Sequence, residues 1–303
     1  MELRFSIVIT TYNRRGLLRR AVDSALAQNH PEGEIIVVDD ASTDGTGELI
    51  RTSYPAIRYV RSARNRGVCA ARNLGLREAR EPWVVFLDDD DTFTEGALNC
   101  IAHCVSGFAG AARYPVLQFA RSNARTPSEF LVARLDDYLR GSIQGDFAAV
   151  IHRGRFLEEG LAFPEFRSGA EMILWWRVAG RYGIPTWALT VQELHSDGGL
   201  RMMSSAFQLA NARDRAALDE AVLGEFGAEL ERFPAACMRR RAACAFYCLL
   251  AGEPRRARRH VRATLARRMS LPALALLALS YLPMPVIRGS YTQYKRWREG
   301  WVS

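Results

Sequence analysis

The stretch Trp83–Phe93, WVVFLDDDDTF, sets five large apolar residues directly against four consecutive carboxylates. A short run of aromatic and β-branched residues reads as a buried strand, and the change of composition after Leu87 marks its carboxyl end. Adjacent negative charges repel one another, and Asn, Ser or Gly would close a strand at less cost. A hard divalent cation removes that repulsion. Mg²⁺ or Mn²⁺ prefers oxygen donors and commonly takes one or two carboxylates together with the phosphates of a substrate. Asp88–Asp91 is therefore a candidate site for Mn²⁺ or Mg²⁺ and a diphosphate.

Working outward, Phe5–Thr10 (FSIVIT), Glu34–Asp39 (EIIVVD) and Ile57–Arg61 (IRYVR) are similar strand-like runs. Between them Leu17, Leu18, Ala21, Val22, Ala25 and Leu26 recur on one helical face, and Val68–Ala79 forms a second helical pattern. Alternating strands and helices predict an α/β domain with a mostly parallel sheet and right-handed crossovers. In such sheets ligands gather beyond the carboxyl ends of the strands. Thr11–Asn13, Asp39–Asp44 and Asp88–Asp91 all fall there and should converge on one crevice. Neither GxGxxG nor GxxxxGK[ST] follows the first strand, which argues against a dinucleotide enzyme or a P-loop NTPase. Further along, the pattern predicts helices over 95–104, 129–139 and 170–182 and strands over 116–120 and 147–151. From Ser205 onward it is wholly helical, so the expected domains are 1–204 and a helical extension over 205–303.

The runs SIVITTYNR (Ser6–Arg14), IIVVDDASTDGT (Ile35–Thr46), NRGVCAARNLG (Asn65–Gly75) and VVFLDDDDTF (Val84–Phe93) stand in one order and spacing. In that order the chain resembles the inverting glycosyltransferases of family 2, closely over its first third and more loosely to about Ser204. The resemblance implies a GT-A fold, a Rossmann-like nucleotide-binding domain. It also implies a bacterial surface-polysaccharide role, a UDP-sugar donor with dTDP as the second choice, and a glycan acceptor. By position, Thr10, Tyr12 and Asp40 correspond to residues around the nucleotide base, with Asp39 orienting their loop. Arg72 corresponds to a position near the nucleotide or its diphosphate, where a guanidinium can pair phosphate oxygens. Asp88 and Asp90 align with the DxD pair. Asp90 is the expected metal ligand, Asp88 the ribose or metal-shell contact, and Asp89 is counted with the nucleotide side.

An inverting transfer needs a group to take the acceptor hydroxyl's proton, and no covalent intermediate. The family's usual Glu-Asp pair before a helix is here Ala170-Glu171, in SGAEMILWWR. Glu171 is accordingly the expected base, with Glu165 as the alternative. The altered pair also motivates a rival reading, a non-catalytic nucleotide-sugar or polysaccharide-binding protein on the same fold. Of Trp175 and Trp176, adjacent on a helix, at least one should be core. His195 aligns with a histidine that completes the metal or diphosphate site in relatives. Gly198, Gly199 and Arg201 beside it suggest a mobile, phosphate-clamping lid, with a lesser part for Asp197.

Net charge is +8, but residues 238–303 hold fourteen Lys or Arg against two Glu, while the remainder holds 27 basic and 31 acidic residues. A basic tail beside apolar segments points to an anionic membrane surface, and no nucleic-acid reading motif accompanies it. The proline-free core of the most apolar segment, Ala273–Leu282, would reach only about 15 Å as a helix, short of a bilayer. A peripheral protein on the inner face of the cytoplasmic membrane, acting on a lipid-linked glycan, is therefore expected. The alternative is a helical subdomain packed on protein, a second copy included. Without a signal-peptide pattern, the six cysteines are expected in a reducing cytoplasm. Cys100/Cys104 and Cys244/Cys248 repeat at i, i+4, a spacing open to metal pairs, although buried small hydrophobes are the favoured reading.

Overall fold

A computed structural model describes residues 3–30, 33–167, 169–195, 205–267, 269 and 271–299, with the backbone alone at 205 and 294–299. Contacts divide the chain into two units, one drawn from residues 1–165 and 169–198 and the other from 166–168 and 199–303.

The first unit alternates as the composition predicts. Its elements are β1 (Phe5–Thr11), α1 (Arg15–Leu26), β2 (Glu34–Asp39), α2 (Thr46–Ser53), β3 (Arg58–Arg61), α3 (Val68–Glu78), β4 (Trp83–Asp88), β5 (Thr92–Phe93) and α4 (Ala97–Gly107). There follow β6 (Val116–Arg121), β7 (Phe130–Ala133), α5 (Leu135–Arg140), β8 (Phe147–His152), α6 (Arg153–Glu158), α7 (Glu171–Arg181) and β9 (Ile184–Glu193). One sheet joins the strands in the order β3-β2-β1-β4-β8-β6-β9-β5, with β7 on β9. The pairings run β1, β2, β3, β4, β6 and β9 in one direction and β5, β7 and β8 in the other. The sheet is thus mostly parallel, as expected of this α/β class.

Every residue of β1 is buried, which fits a central strand covered on both faces. Helix α1 buries Leu18, Ala21, Val22 and Ala25 of the stripe that its periodicity marked, whereas Leu17 is half-buried and Leu26, at the helix end, is exposed. Helix α3 approaches the sheet so closely that a Cβ on Gly75 would lie 2.4 Å from Val8 Cγ1. Only glycine permits that approach.

The expected helix over 129–139 is corrected. Residues Phe130–Ala133 form β7, antiparallel to β9 with Phe130 opposite Trp187, and helix begins only at Leu135. The aromatic and β-branched run FLVA favours a strand once an edge is available, and the Phe130 and Trp187 rings meet at 4.8 Å. Asp137 then starts α5 by accepting a hydrogen bond from Arg134 N at 2.8 Å.

The second unit contains α8 (Ser205–Ala210), α9 (Ala212–Glu225), α10 (Gly227–Glu231), α11 (Pro234–Leu250), α12 (Pro254–Leu265), α13 (Leu271–Leu279) and α14 (Met284–Glu299). Its core gathers Ala212 and Ala216 of α9, Cys244, Ala245 and Cys248 of α11, and Ala257 and Val261 of α12. Small residues at these positions let the three helices approach closely. Among the described residues no helix is long and apolar enough to cross a membrane.

Candidate active site

Strand register assembles the site. In the parallel core Thr11 stands opposite Asp39 and Thr10 opposite Asp88, so the carboxyl ends of β2, β1 and β4 form one line. The short strand β5 pairs Thr92 with Glu193 of β9, which pins the far end of the aspartate segment. Asp88–Asp91 is therefore a strap held at both ends.

Asn13, at φ 51°, stitches the first two loops together: its Oδ1 accepts from Thr43 N at 2.7 Å, and its own N donates to Ser42 Oγ at 2.8 Å. Asp39 is fully buried and accepts from Ser42 N at 2.7 Å and from the Tyr59 hydroxyl, which suits a residue that shapes its loop. Asp40 is also buried, and its carboxylate accepts from Arg66 N and from Gly67 N, the latter at 2.7 Å. That contact ties the end of β2 to the entry of α3. Thr10 is buried, whereas Tyr12 is 44% exposed and stands at the surface of the crevice.

Each aspartate of the strap has its own environment, and three arginines set it. Asp88 Oδ1 accepts from Arg72 at 2.7 Å and Oδ2 from Arg121 at 2.9 Å. Burial alone would raise the Asp88 pKa, but the two guanidiniums outweigh it and hold the group below the usual carboxylate range. Asp89 points inward, taking hydrogen bonds from Thr11 Oγ1 at 2.7 Å and Arg14 at 3.0 Å. Desolvation dominates there and pushes it up to about 6 despite Arg14. Asp90 accepts from Arg14 at 2.9 Å with its side chain 19% exposed. Asp91 is buried; it accepts from Arg121 at 3.3 Å and from His195 N at 3.3 Å, and burial pushes it up to about 7. The His195 ring lies 2.9 Å from Thr92 Oγ1, beside the strap.

Arg72 joins the strap to the expected base. Its guanidinium is buried between the Phe86 and Phe163 rings, 5.8 Å from each centroid, and bridges Asp88 to Glu171 at the start of α7. Glu165 instead pairs with Arg66, on the Asp40 side of the crevice. Trp176 is buried, and Trp175 is half-buried edge-on to Phe163 at 5.5 Å. Asp197, Gly198, Gly199 and Arg201 lie outside the described residues.

Sequence reasoning assigned no role to Arg14, Arg121 or Thr11. Arg14 and Thr11 lie inside the first motif, where the side chain's direction was not legible. Arg121 ends β6, whose place two strands from β4 depends on the whole sheet order.

The oxygen-only donor set of the strap fits a hard cation. Asp90 meets one arginine, Arg14, through Oδ2, and its side chain is 19% exposed. Asp88 has both oxygens already taken by guanidiniums, which fits an outer contact better than direct ligation.

Residues 6–103 match the family described as Glycosyl transferase family 2. The Campylobacter jejuni GalNAc(5)-diNAcBac-PP-undecaprenol beta-1,3-glucosyltransferase is 29% identical over 185 residues, 57% of this chain and 58% of that one. The crystal structure of S. aureus TarS 1-349 in complex with UDP-GlcNAc superposes with a TM-score of 0.58 at 17% identity, covering 97% of this chain and 93% of that one. The mannosyltransferase PcManGT from Pyrobaculum calidifontis, in complex with GDP-Man and Mn²⁺, gives 0.51 at 20% identity, covering 100% and 88%. Two curated relatives that are 42% and 40% identical over short stretches are spanned over only 25% and 15% of their own length. Residues 6–103 are thus similar to Glycosyl transferase family 2, and the chain as a whole shares the GT-A-like α/β architecture of these solved structures.

Proposed function

We propose that this chain is a metal-dependent inverting glycosyltransferase that moves a sugar from a nucleoside diphosphate, UDP before dTDP, to a hydroxyl of a surface glycan. The observation that carries the reading is the bridge Asp88–Arg72–Glu171, which sets a carboxylate one guanidinium away from the aspartate strap. The acceptor oxygen forms its bond to the anomeric carbon as the bond to the diphosphate oxygen breaks, and the hydroxyl proton passes to Glu171. Arg72 and Asp88 hold that carboxylate in place. Asp90, with Asp88 and His195, would hold a Mn²⁺ or Mg²⁺, which when bound would neutralise charge on the diphosphate leaving group. Thr10, Tyr12, Asp39 and Asp40 shape the base-binding end of the crevice, and Asp89 fixes Arg14 behind Asp90.

The acceptor is taken to be lipid-linked, and the protein to work peripherally on the cytoplasmic face of the membrane. Two features support this: the undecaprenol-linked substrate in the name of the Campylobacter jejuni relative, and the exposed apolar side chains of the tail. Met269, Leu271 and Tyr281 are 70%, 82% and 65% exposed on a chain rich in arginine. The domain limits 1–204 and 205–303 divide these two tasks.

Sugar transfer is assayed with UDP-sugars and Mn²⁺ on a lipid-linked acceptor, comparing Glu171→Gln with the parent. Loss of transfer with retained UDP binding is expected; undiminished transfer removes Glu171 as the base. Binding of donor without transfer by the parent protein favours the rival, a sugar-nucleotide-binding protein.

A further inference from the structure

The helical unit brings together a second set of metal-binding side chains, distant in sequence and different in chemistry from the aspartate strap. Glu220 of α9, Cys244 and Cys248 of α11 and His260 of α12 present one carboxylate oxygen, two sulfurs and one ring nitrogen, all within 4.8 Å of one another. Both thiols are fully buried and the imidazole is 7% exposed. We propose that these four residues bind one structural Zn²⁺ that ties α9, α11 and α12 together.

The helices dictate the arrangement. On α11 the two cysteines are one turn apart, so both sulfurs lie on the face that packs against α9 and α12. On α12 the buried positions Ala257, His260, Val261 and Thr264 form one stripe, with His260 at its middle. On α9 Glu220 stands one turn beyond Ala216, whose carbonyl lies 3.8 Å from Cys244 Sγ. The converging atoms therefore come from three different helices.

The donor types select the ion. Two thiolates and an imidazole are soft to borderline ligands that favour zinc over the hard cations suited to Asp88–Asp91, and four protein ligands are the mark of a structural site. Bonds of about 2.0–2.3 Å around a tetrahedral ion place ligand atoms within about 4 Å of one another, so contraction by less than about 1 Å closes the set. Charge is also provided for. Zn²⁺ with two thiolates and one carboxylate carries net −1, and the Glu220 carboxylate already takes hydrogen bonds from Arg256 and, at 3.1 Å, from Arg259. A carboxylate has capacity for about four such contacts, so ligation is compatible with both arginines. The present contact of His260 Nε2 with Glu220 Oε1, at 2.9 Å, would give way as both atoms turn to the cation. Binding releases the two thiol protons.

The i, i+4 pair Cys100/Cys104 is the internal contrast. Cys100 is exposed rather than buried, which corrects its reading as a core residue, and the described residues place no such ligand group around it.

The test uses the full chain purified without a metal-affinity tag and dialysed against excess EDTA, with zinc measured by plasma mass spectrometry. About one zinc per chain is expected. Exchange into Co²⁺ should give the strong ligand-field bands of four-coordinate cobalt together with thiolate-to-metal charge transfer. Cys248→Ser and His260→Ala should each lose the zinc, while Asp90→Ala keeps it. Should a variant fail to fold, the parent cobalt spectrum and a zinc-dependent rise of its melting temperature still decide the matter. A parent chain that takes up no zinc, gives octahedral cobalt bands, or melts alike with and without zinc overturns the assignment. So does full zinc retention in a folded Cys248→Ser chain.

Discussion

The aspartate strap of the first unit and the cysteine–histidine cluster of the second are both crowded with ligand-type side chains, yet they relieve the crowding by opposite means. In the strap, four carboxylates at a strand end are balanced by Arg14, Arg72 and Arg121, and the Asp88 and Asp90 side chains stay 25% and 19% exposed. In the cluster, both thiols and the imidazole are buried, and Arg256 and Arg259 meet its carboxylate. Oxygen donors that remain partly open can share a cation with a substrate; a closed set of sulfur, nitrogen and oxygen has no such vacancy to offer. On the two assignments proposed above, donor chemistry alone keeps a working cation and a structural one apart.

The largest effect should come from the strap. Asp90→Ala is expected to lower sugar transfer by at least about 10³-fold, since charge stabilisation of a leaving group is among the largest catalytic contributions. Initial rates across a Mn²⁺ titration measure it, and a rate within a few-fold of the parent would take Asp90 out of the site. Next is Glu171→Gln, expected to cost about 10²–10³-fold in kcat with little change in donor affinity. The paired control, Glu165→Gln, removes only the partner of Arg66 and should stay within about threefold. If instead Glu165→Gln is the deeper loss, the two carboxylates exchange roles.

Arg72→Lys sharpens the comparison at a smaller scale. A point-like ammonium cannot hold Asp88 and Glu171 at once in the plane between Phe86 and Phe163, so about a tenfold loss of kcat is expected although the charge is kept. A fully active Lys variant would show that the bridge is only a charge.

The strap was legible in the sequence because its residues are contiguous: a buried strand followed by four carboxylates carries its own argument. The parallel core and α1 were legible for the same reason, since each apolar pattern lies within a dozen residues. The remainder depended on partners far along the chain. Phe130–Ala133 reads equally well as part of a helix until β9 offers its edge. Arg121 is anonymous until β8 and β6 set it beside Asp88 and Asp91. Cys244 and Cys248 looked like small core residues because Glu220 and His260, their neighbours in space, are 24 and 12 residues away from the nearer cysteine.

The smallest expected effect concerns what the strap costs the fold when no cation is present. Burial pushes Asp91 up to about 7, whereas a carboxylate in the unfolded chain titrates near 4, as is usual for Asp. The folded state therefore binds this proton more tightly than the unfolded one. Stability falls as pH rises from about 4 through about 7, and the penalty is complete above that. Asp91→Asn removes the buried charge while its amide oxygen can still accept from His195 N, and Arg121 keeps its bond to Asp88. Without added Mn²⁺ the variant should melt a few degrees above the parent near pH 8, and the gap should narrow below about pH 7 and close only under about pH 4, where Asp91 is protonated in the unfolded chain as well. A gap of the opposite sign, or one that does not change with pH, would mean that Asp91 is held ionised by Arg121 and that the strap is balanced even when no cation is bound.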